Sequence, residues 1–243
     1  MLFTKPVFDT ARRMGAYYCG FADISALTSS IPDLEGYRVH DYPAAVSVGI
    51  ALSDQIINSL PNRDDVSVYQ AYCRHYDETN HHLDSIATEI CSIIEDFGYK
   101  TYHVPASSPR GPDGLTSEFS HKIAAHQAGH GWIGKSALLI TPEHGPRVRW
   151  VTVLISAPIH QEKEPMDEQC GRCKACTQIC PVHAISGIPF DAEDPGAFRF
   201  DREACNRGFS DRKKMGLLAI CGLCVYVCPY GKRSTNNEAY TSK

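Results

Sequence analysis

Eight of the chain's 11 cysteines fall between residues 170 and 228. They form two runs, Cys170-x2-Cys173-x2-Cys176-x3-Cys180-Pro181 and Cys221-x2-Cys224-x3-Cys228-Pro229, with Cys205 alone between them. The first run has the spacing that holds cubane iron–sulfur clusters. Three thiolates on a tight loop reach three irons of one cube, and the fourth is carried away to the neighbouring cluster. The proline after the fourth cysteine cannot continue a helix interior, so it fixes the exit of the chain. Applied to both runs, this cross-over gives one set of Cys170, Cys173, Cys176 and Cys228, and another of Cys180, Cys205, Cys221 and Cys224. All eight are used and none is left over, which also accounts for Cys205. Zinc sites favour paired Cys-x2-Cys units over three in a row with a fourth and a proline. Clusters placed this way are close neighbours, suited to electron transfer. Cys19, Cys73 and Cys91 are scattered and read as core residues.

The remainder bounds the answer. At 243 residues, and ~150 residues per domain, the chain is one large domain or one with a small appendage. Charged residues make up 21% and hydrophobic residues 43%, which excludes disorder, collagen and coiled coil as whole-chain descriptions. A net charge of −4 supplies no global basic field for nucleic acid. The N-terminal stretch MLFTKPVFDTARRMG lacks the apolar core of a secretory signal. Apolar stretches such as 44–52 and 151–155 are too short for a bilayer span. The expectation is a cytoplasmic protein without a membrane partner, where clustered cysteines mean metal or redox chemistry rather than disulfides.

Residues 1–160 read as an α/β body and residues 161–243 as a cysteine-rich second domain, with a polar link near 158–167. Helix is expected at 3–14 and strand at 17–22 and 46–52. Leu83, Ile86, Ala87, Ile90, Ile94 and Phe97 recur at three- and four-residue steps and predict a long helix ending at Gly98. His81 and His82 are expected to open it. Strands follow at 99–104 and 148–156, the latter paired with 137–141 across the turn at 142–146. The segment PASSPRGPDG (105–114) predicts a loop. No GxGxxG fingerprint and no phosphate loop occur, so a flavin or corrinoid would have to be held by shape and backbone.

One segment goes further. Residues 126–145 (HQAGHGWIGKSALLITPEHG) and the strand at 150–155 closely resemble the core of the epoxyqueuosine reductases. The chain is also similar to the wider class of cobalamin-dependent reductases that includes the reductive dehalogenases. The matching elements are Ala128-Gly129, Gly131-Trp132-Ile133-Gly134-Lys135, Leu138-Leu139-Ile140 and Pro142-Glu143-His144-Gly145. ARRMGAYYCGFADIS near the start resembles the family's opening, and the cysteine pattern follows at the family's distance.

The resemblance implies an α/β (α+β) fold. A nitroreductase-like domain would hold a corrinoid, and a ferredoxin-like domain with two 4Fe-4S clusters would follow it. It implies corrinoid contacts at Leu139, Trp150, Leu223 and Cys224, with Lys135 in a cofactor-contacting glycine-rich segment. His130 stands where the family more often has an apolar residue, and reads as a cofactor ligand or proton donor, or as a hydrogen-bonded turn residue. The family's proton-donating aspartate is replaced by Leu115, leaving Asp113, Glu118 and His121 as candidate acids. The helical-repeat region that many members use to hold tRNA is missing, although Arg202, Arg207, Arg212, Lys213 and Lys214 gather near Cys205.

The function expected is therefore a cobalamin-dependent iron–sulfur reductase. It would draw on a low-potential donor such as ferredoxin or flavodoxin and act on a small molecule or a tRNA. The alternatives are an electron-transfer protein or reductive activator serving a partner's corrinoid or metal centre, and a flavin in the same pocket.

Overall fold

The computed structural model describes residues 1–30, 39–107, 119–191, 199–214, 216–218 and 220–232. Its elements in chain order are helix α1 (Thr4–Arg13), strands β1 (Tyr18–Asp23) and β2 (Ala44–Ala51), helices α2 (Asp54–Ser59) and α3 (Val66–Asp96), strand β3 (Thr101–Val104) and helix α4 (His121–Gln127). Strands β4 (Trp132–Ile133), β5 (Leu139–Ile140) and β6 (Val148–Ile155) follow, then the short helices α5 (Ala175–Ile179), α6 (Arg202–Arg207), α7 (Ser210–Lys214) and α8 (Leu223–Val227). The fold is mixed α/β, as expected.

Four strands form one sheet in the order β1-β2-β6-β3, with β1 antiparallel to β2 and β3 antiparallel to β6. β2 reads AAVSVGIA and is buried along most of its length. It is apolar on both sides because helices cover both faces of the sheet. On one face Val46, Val48, Val151, Val153 and Ile155 meet Phe3, Val7 and Ala11 of α1 and Leu83, Ile86, Ile90 and Ile94 of α3. Each of those α3 side chains contributes about 2 kcal/mol by leaving water. On the other face Ala22, Ala45, Val104 and Leu154 pack against Ala124 and Ala128.

Gly98 ends α3 with φ +84°, the left-handed cap that its position predicts. His81 and His82 lie in the middle of α3 rather than at its start. The helix gains about four more turns at its N-terminal side because Tyr69 and Tyr72 bury a second apolar seam there. The pairing expected between 137–141 and 148–156 is also corrected. β5 pairs antiparallel with β4, Trp132 opposite Ile140 and Ile133 opposite Leu139, whereas β6 enters the large sheet between β2 and β3. The turn after β5 closes on itself instead, through a Thr141–Gly145 bridge.

By internal contacts the chain divides into two interleaved units, not into two consecutive halves. Unit 1 comprises Met1–Ala51, Glu78–His130 and Arg149–Met166, and unit 2 comprises Leu52–Asp77, Gly131–Val148 and Asp167–Lys243. The expected cut near 160 falls six residues before one of these boundaries; the others lie within what read as a single α/β body. Among the described residues no helix is long and apolar enough to cross a membrane.

Candidate metal centre

Unit 2 carries the cysteines, and local rules explain where they sit. α5 spans only Ala175–Ile179 and α8 only Leu223–Val227. Each ends at a cysteine followed by proline. The residue before a proline is pushed out of the helical region, and Cys180 (φ −69°, ψ 113°) and Cys228 (φ −61°, ψ 124°) are both extended. The last cysteine of each run is thereby held in extended backbone, out of the helical turn that carries the cysteine before it. Cys205 rides on α6, whose N-terminus is capped by Asp201 accepting from the Ala204 N–H at 2.8 Å. Cys221 follows a segment anchored by Tyr69, whose hydroxyl donates to the Ile220 carbonyl at 2.5 Å and accepts from its N–H at 3.3 Å.

The first set converges on a pocket of about 50 Å³ lined by Cys170, Cys173, Cys176 and Cys228, with Lys135 and Tyr230 at its wall. Three cysteines of the second set meet in a small core, where Cys180 is buried with Ala184 and Ile185 and is flanked by Cys176, Cys205 and Cys224. Burial pushes the Cys205 thiol up to about 11, and Cys221 and Cys180 add to the rise. Burial pushes Cys224 up to about 12, with Cys221, Cys205, Cys176 and Cys180 adding to it. Cys228 is raised by burial and by Cys173 and Cys176, against the N–H groups of Tyr230 and Gly231. Thiols crowded this closely cannot all ionise alone, whereas bound iron deprotonates its thiol ligands outright. Among the described residues no three His, Cys, Asp or Glu side chains are placed to hold a single metal ion. Four thiols around a larger space suit a polynuclear iron–sulfur group, and the donor set fits it.

The segment between Ala128 and Leu139 belongs partly to this site. α4 closes in a Schellman motif, with Gly129 N–H on the His126 carbonyl (2.9 Å) and His130 N–H on the Ala125 carbonyl (3.1 Å). Gly129 supplies the required positive φ of +70°. Gly131 then runs so close to β5 that an added Cβ would sit 2.0 Å from the Ile140 carbonyl oxygen. Gly134 faces the metal site, where a Cβ would lie 3.3 Å from Cys170 Sγ. Lys135, only 8% exposed, turns its ammonium to the Gly171 carbonyl and, at 3.5 Å, to that of Cys173. Trp132 is fully buried, edge-on to Tyr230 at 4.7 Å between ring centroids. Burial pushes Cys170 up to about 11, while the Lys135 backbone and the nearby Trp132 indole oppose the rise.

The remaining expected site residues are distributed as follows. In unit 1, His130 is 7% exposed, stacked on Trp150 at 5.4 Å and edge-on to Tyr18 at 5.5 Å. Its Nε2 has no hydrogen-bond partner. Burial, reinforced by Lys163 and opposed by the Ser47 backbone, lowers its pKa to about 4. His121 has both ring nitrogens engaged. Nε2 donates to the Pro105 carbonyl (3.0 Å), so Nδ1 accepts from the Thr152 hydroxyl (2.9 Å). Burial, opposed by that carbonyl, lowers its pKa to about 4, and an acid in this setting has no free proton to give. Asp113 and Glu118 lie outside the described residues, as does the replaced position, Leu115. In unit 2, Leu139 is buried in its hairpin, and Leu223 packs with Leu52, Ile57, Leu60 and Tyr72. Arg202, Arg207, Lys213 and Lys214 are exposed, and Arg207 pairs with Glu203 at 2.9 Å.

Sequence reasoning missed Arg147. Its side chain is 1% exposed and binds Asp54 of α2, Asn58 Oδ1 (2.9 Å) and the Tyr226 carbonyl (3.5 Å), tying α8 to its surroundings within unit 2. A lone arginine before a strand carries no pattern that would announce this.

Comparison with known proteins points the same way. Residues 169–231 match the model of the 4Fe-4S double cluster binding domain. An epoxyqueuosine reductase from Bacillus cereus is 35% identical over 122 residues, covering 48% of this chain and 31% of that protein. Tetrachloroethene reductive dehalogenase from Sulfurospirillum multivorans is 28% identical over 198 residues, covering 77% of this chain and 35% of that protein. Among solved structures, a catabolic reductive dehalogenase in complex with 3-bromo-4-hydroxybenzoic acid shares the fold with a TM-score of 0.70 at 20% identity, over 93% of this chain and 31% of that one. Epoxyqueuosine reductase with a tRNA-Tyr stem loop gives 0.57 at 18% identity, over 95% of this chain and 66% of that one. The chain spans about a third of the length of the curated relatives it matches. The chain is thus similar in sequence to epoxyqueuosine reductases and to a reductive dehalogenase, and residues 169–231 form a 4Fe-4S double cluster binding domain.

Proposed function

We propose that the chain is an oxidoreductase in which two 4Fe-4S clusters feed electrons to a corrinoid that reduces a substrate. One cluster is held by Cys170, Cys173, Cys176 and Cys228, the other by Cys180, Cys205, Cys221 and Cys224. The observation that supports this reading is the pocket shared by Cys170, Cys173 and Cys176 of the first run and Cys228, the last cysteine of the second. The names of the relatives support the reductase activity.

Cobalamin, when bound, supplies a reducible cobalt. The residues proposed to hold it are Leu139, Trp150, Leu223 and Cys224, as apolar and backbone contacts. His130 supports the fit, since its unpartnered Nε2 beside the Trp150 ring is the kind of hydrogen-bonding group that corrin amide arms require. Electrons come from a low-potential donor such as ferredoxin or flavodoxin, in the reducing cytoplasm that free thiols require. The substrate is a small molecule or a tRNA; a tRNA stem loop is bound by the solved epoxyqueuosine reductase. With His121 committed to its two hydrogen bonds, the proton donor proposed is Asp113 or Glu118.

Anaerobic purification with cobalamin offered tests this. The expected result is about eight irons per chain together with stoichiometric cobalt and a base-off cob(II)alamin signal. Full iron without cobalt uptake overturns the corrinoid step and leaves an electron-transfer protein. A chain that takes up zinc in place of iron overturns the whole reading.

A further inference from the structure

Trp132 and Lys135 belong to the glycine-rich segment that the family resemblance assigns to the corrinoid, yet in unit 2 Lys135 lines the pocket of the first cysteine set and Trp132 packs on Tyr230 of the same lining. The indole N–H of Trp132 is completely buried and has no hydrogen-bond partner. Its ring packs edge-on against Tyr230, which lines the pocket beside Cys170. Gly134 keeps the hairpin close to Cys170, since an added Cβ there would press on the Ile140 side chain at 2.6 Å and lie 3.3 Å from Cys170 Sγ. Lys135 lines the pocket with the four cysteines. Its ammonium is held by the carbonyls of Gly171 and Cys173, directly behind the ligand loop. Burying a cation is costly unless something negative or strongly polar faces it. Two carbonyls are a modest return for that cost, whereas an anionic iron–thiolate group in the pocket supplies the missing partner.

We propose that Trp132 and Lys135 set the reduction potential of the cluster held by Cys170, Cys173, Cys176 and Cys228. The indole acts as an N–H donor to the Cys170 sulfur and the ammonium as a fixed positive charge behind the loop. The inference rests on the two-cluster reading above. Both residues are positioning and tuning groups that transfer no proton and touch no substrate. Reduction brings one electron from the external donor to the cluster and adds one negative charge to it. A nearby cation and an N–H···S hydrogen bond stabilise that extra charge, so both make the cluster easier to reduce.

The experiment is an EPR-monitored redox titration of the iron-loaded protein and its Trp132→Phe and Lys135→Met variants, with iron counted in each. Trp132→Phe keeps an aromatic ring and removes only the N–H, and Lys135→Met keeps the stem and removes the charge. Each variant is expected to retain full iron and to lower the reduction equilibrium constant of one and the same cluster by roughly tenfold, about 59 mV for a one-electron couple. The other cluster should keep its wild-type midpoint. Unchanged midpoints at full iron, or equal movement of both couples, overturn the inference while leaving the two clusters in place. A wild-type chain without about eight irons overturns the underlying reading and the inference with it. If Trp132→Phe does not fold, Lys135→Met decides alone by the same criteria.

Discussion

His130 shows how much one side chain can cost a fold. Its ring fills the space over Gly20, where an added Cβ would lie 2.9 Å from Nε2, and it is sandwiched by Tyr18 and Trp150. In the folded protein its pKa is lowered to about 4, against an ordinary value of 6.5. Above pH 6.5 neither folded nor unfolded chain protonates it, and stability is unaffected. Below 6.5 the unfolded chain binds a proton that the folded chain refuses, so stability falls until the pH reaches the folded value. His121 adds to the loss over the same window. Substituting His130→Phe preserves the stacking and removes the proton site. The variant should unfold at a higher temperature than wild type, by a margin that grows from pH 7 to pH 5, where it reaches about 2 kcal/mol. Thermal unfolding followed by circular dichroism at both pH values checks this, and a margin independent of pH would refute it. At this scale the sequence singles out His130 only as an unexpected residue between two glycines. Its burial comes from the Schellman turn and from rings on β1 and β6, which are far away in the chain.

The β4–β5 hairpin is the element that most repays attention. Its glycines are there because another backbone, or a cysteine sulfur, occupies the volume a side chain would take. Gly131→Ala would drive a Cβ into the Ile140 carbonyl, and a backbone oxygen held by strand pairing has little room to retreat. The expected cost is about 3 kcal/mol, at the upper end for overpacking. It should appear as a lower urea midpoint and as faster amide exchange across residues 132–140. A variant with wild-type exchange would show that the hairpin flexes more easily than its contacts imply.

Elements with strong periodicity were legible in advance: α1, the apolar seam of α3, and the buried strands β2 and β6. The partner of β5 was not. A two-residue strand has no period to read, and a turn rich in proline and glycine looks the same whether it joins two paired strands or folds back on itself. The extended backbone at Cys180 and Cys228 was legible because the pre-proline rule acts locally. The clamp on Cys170 was not, since it depends on a hairpin brought beside the loop by packing within unit 2.

Across the whole molecule, two units share the chain in alternating segments, and α3 contributes its first turns to unit 2 and the rest to unit 1. Hydrophobic patterning cannot reveal this, because an apolar seam looks alike whichever unit it serves. The change in composition at the cysteines marks only the last of the boundaries. The proposed exchange of cysteines between α5 and α8, whose residues pack together, has a consequence for how the protein matures. Each helix surrenders its terminal thiol to the set anchored by the other. Neither set can then be completed while the opposite helix is out of place, and completing one holds the other's last ligand in position. Loading should therefore be all-or-none. Native mass spectrometry of chains reconstituted with limiting iron should find empty molecules and molecules with about eight irons, with few half-filled ones. A dominant four-iron species would mean that each set matures on its own. In a cell, such an interlock would spare the assembly machinery a half-built intermediate, with one reactive set of thiols exposed to oxygen and to the wrong metal.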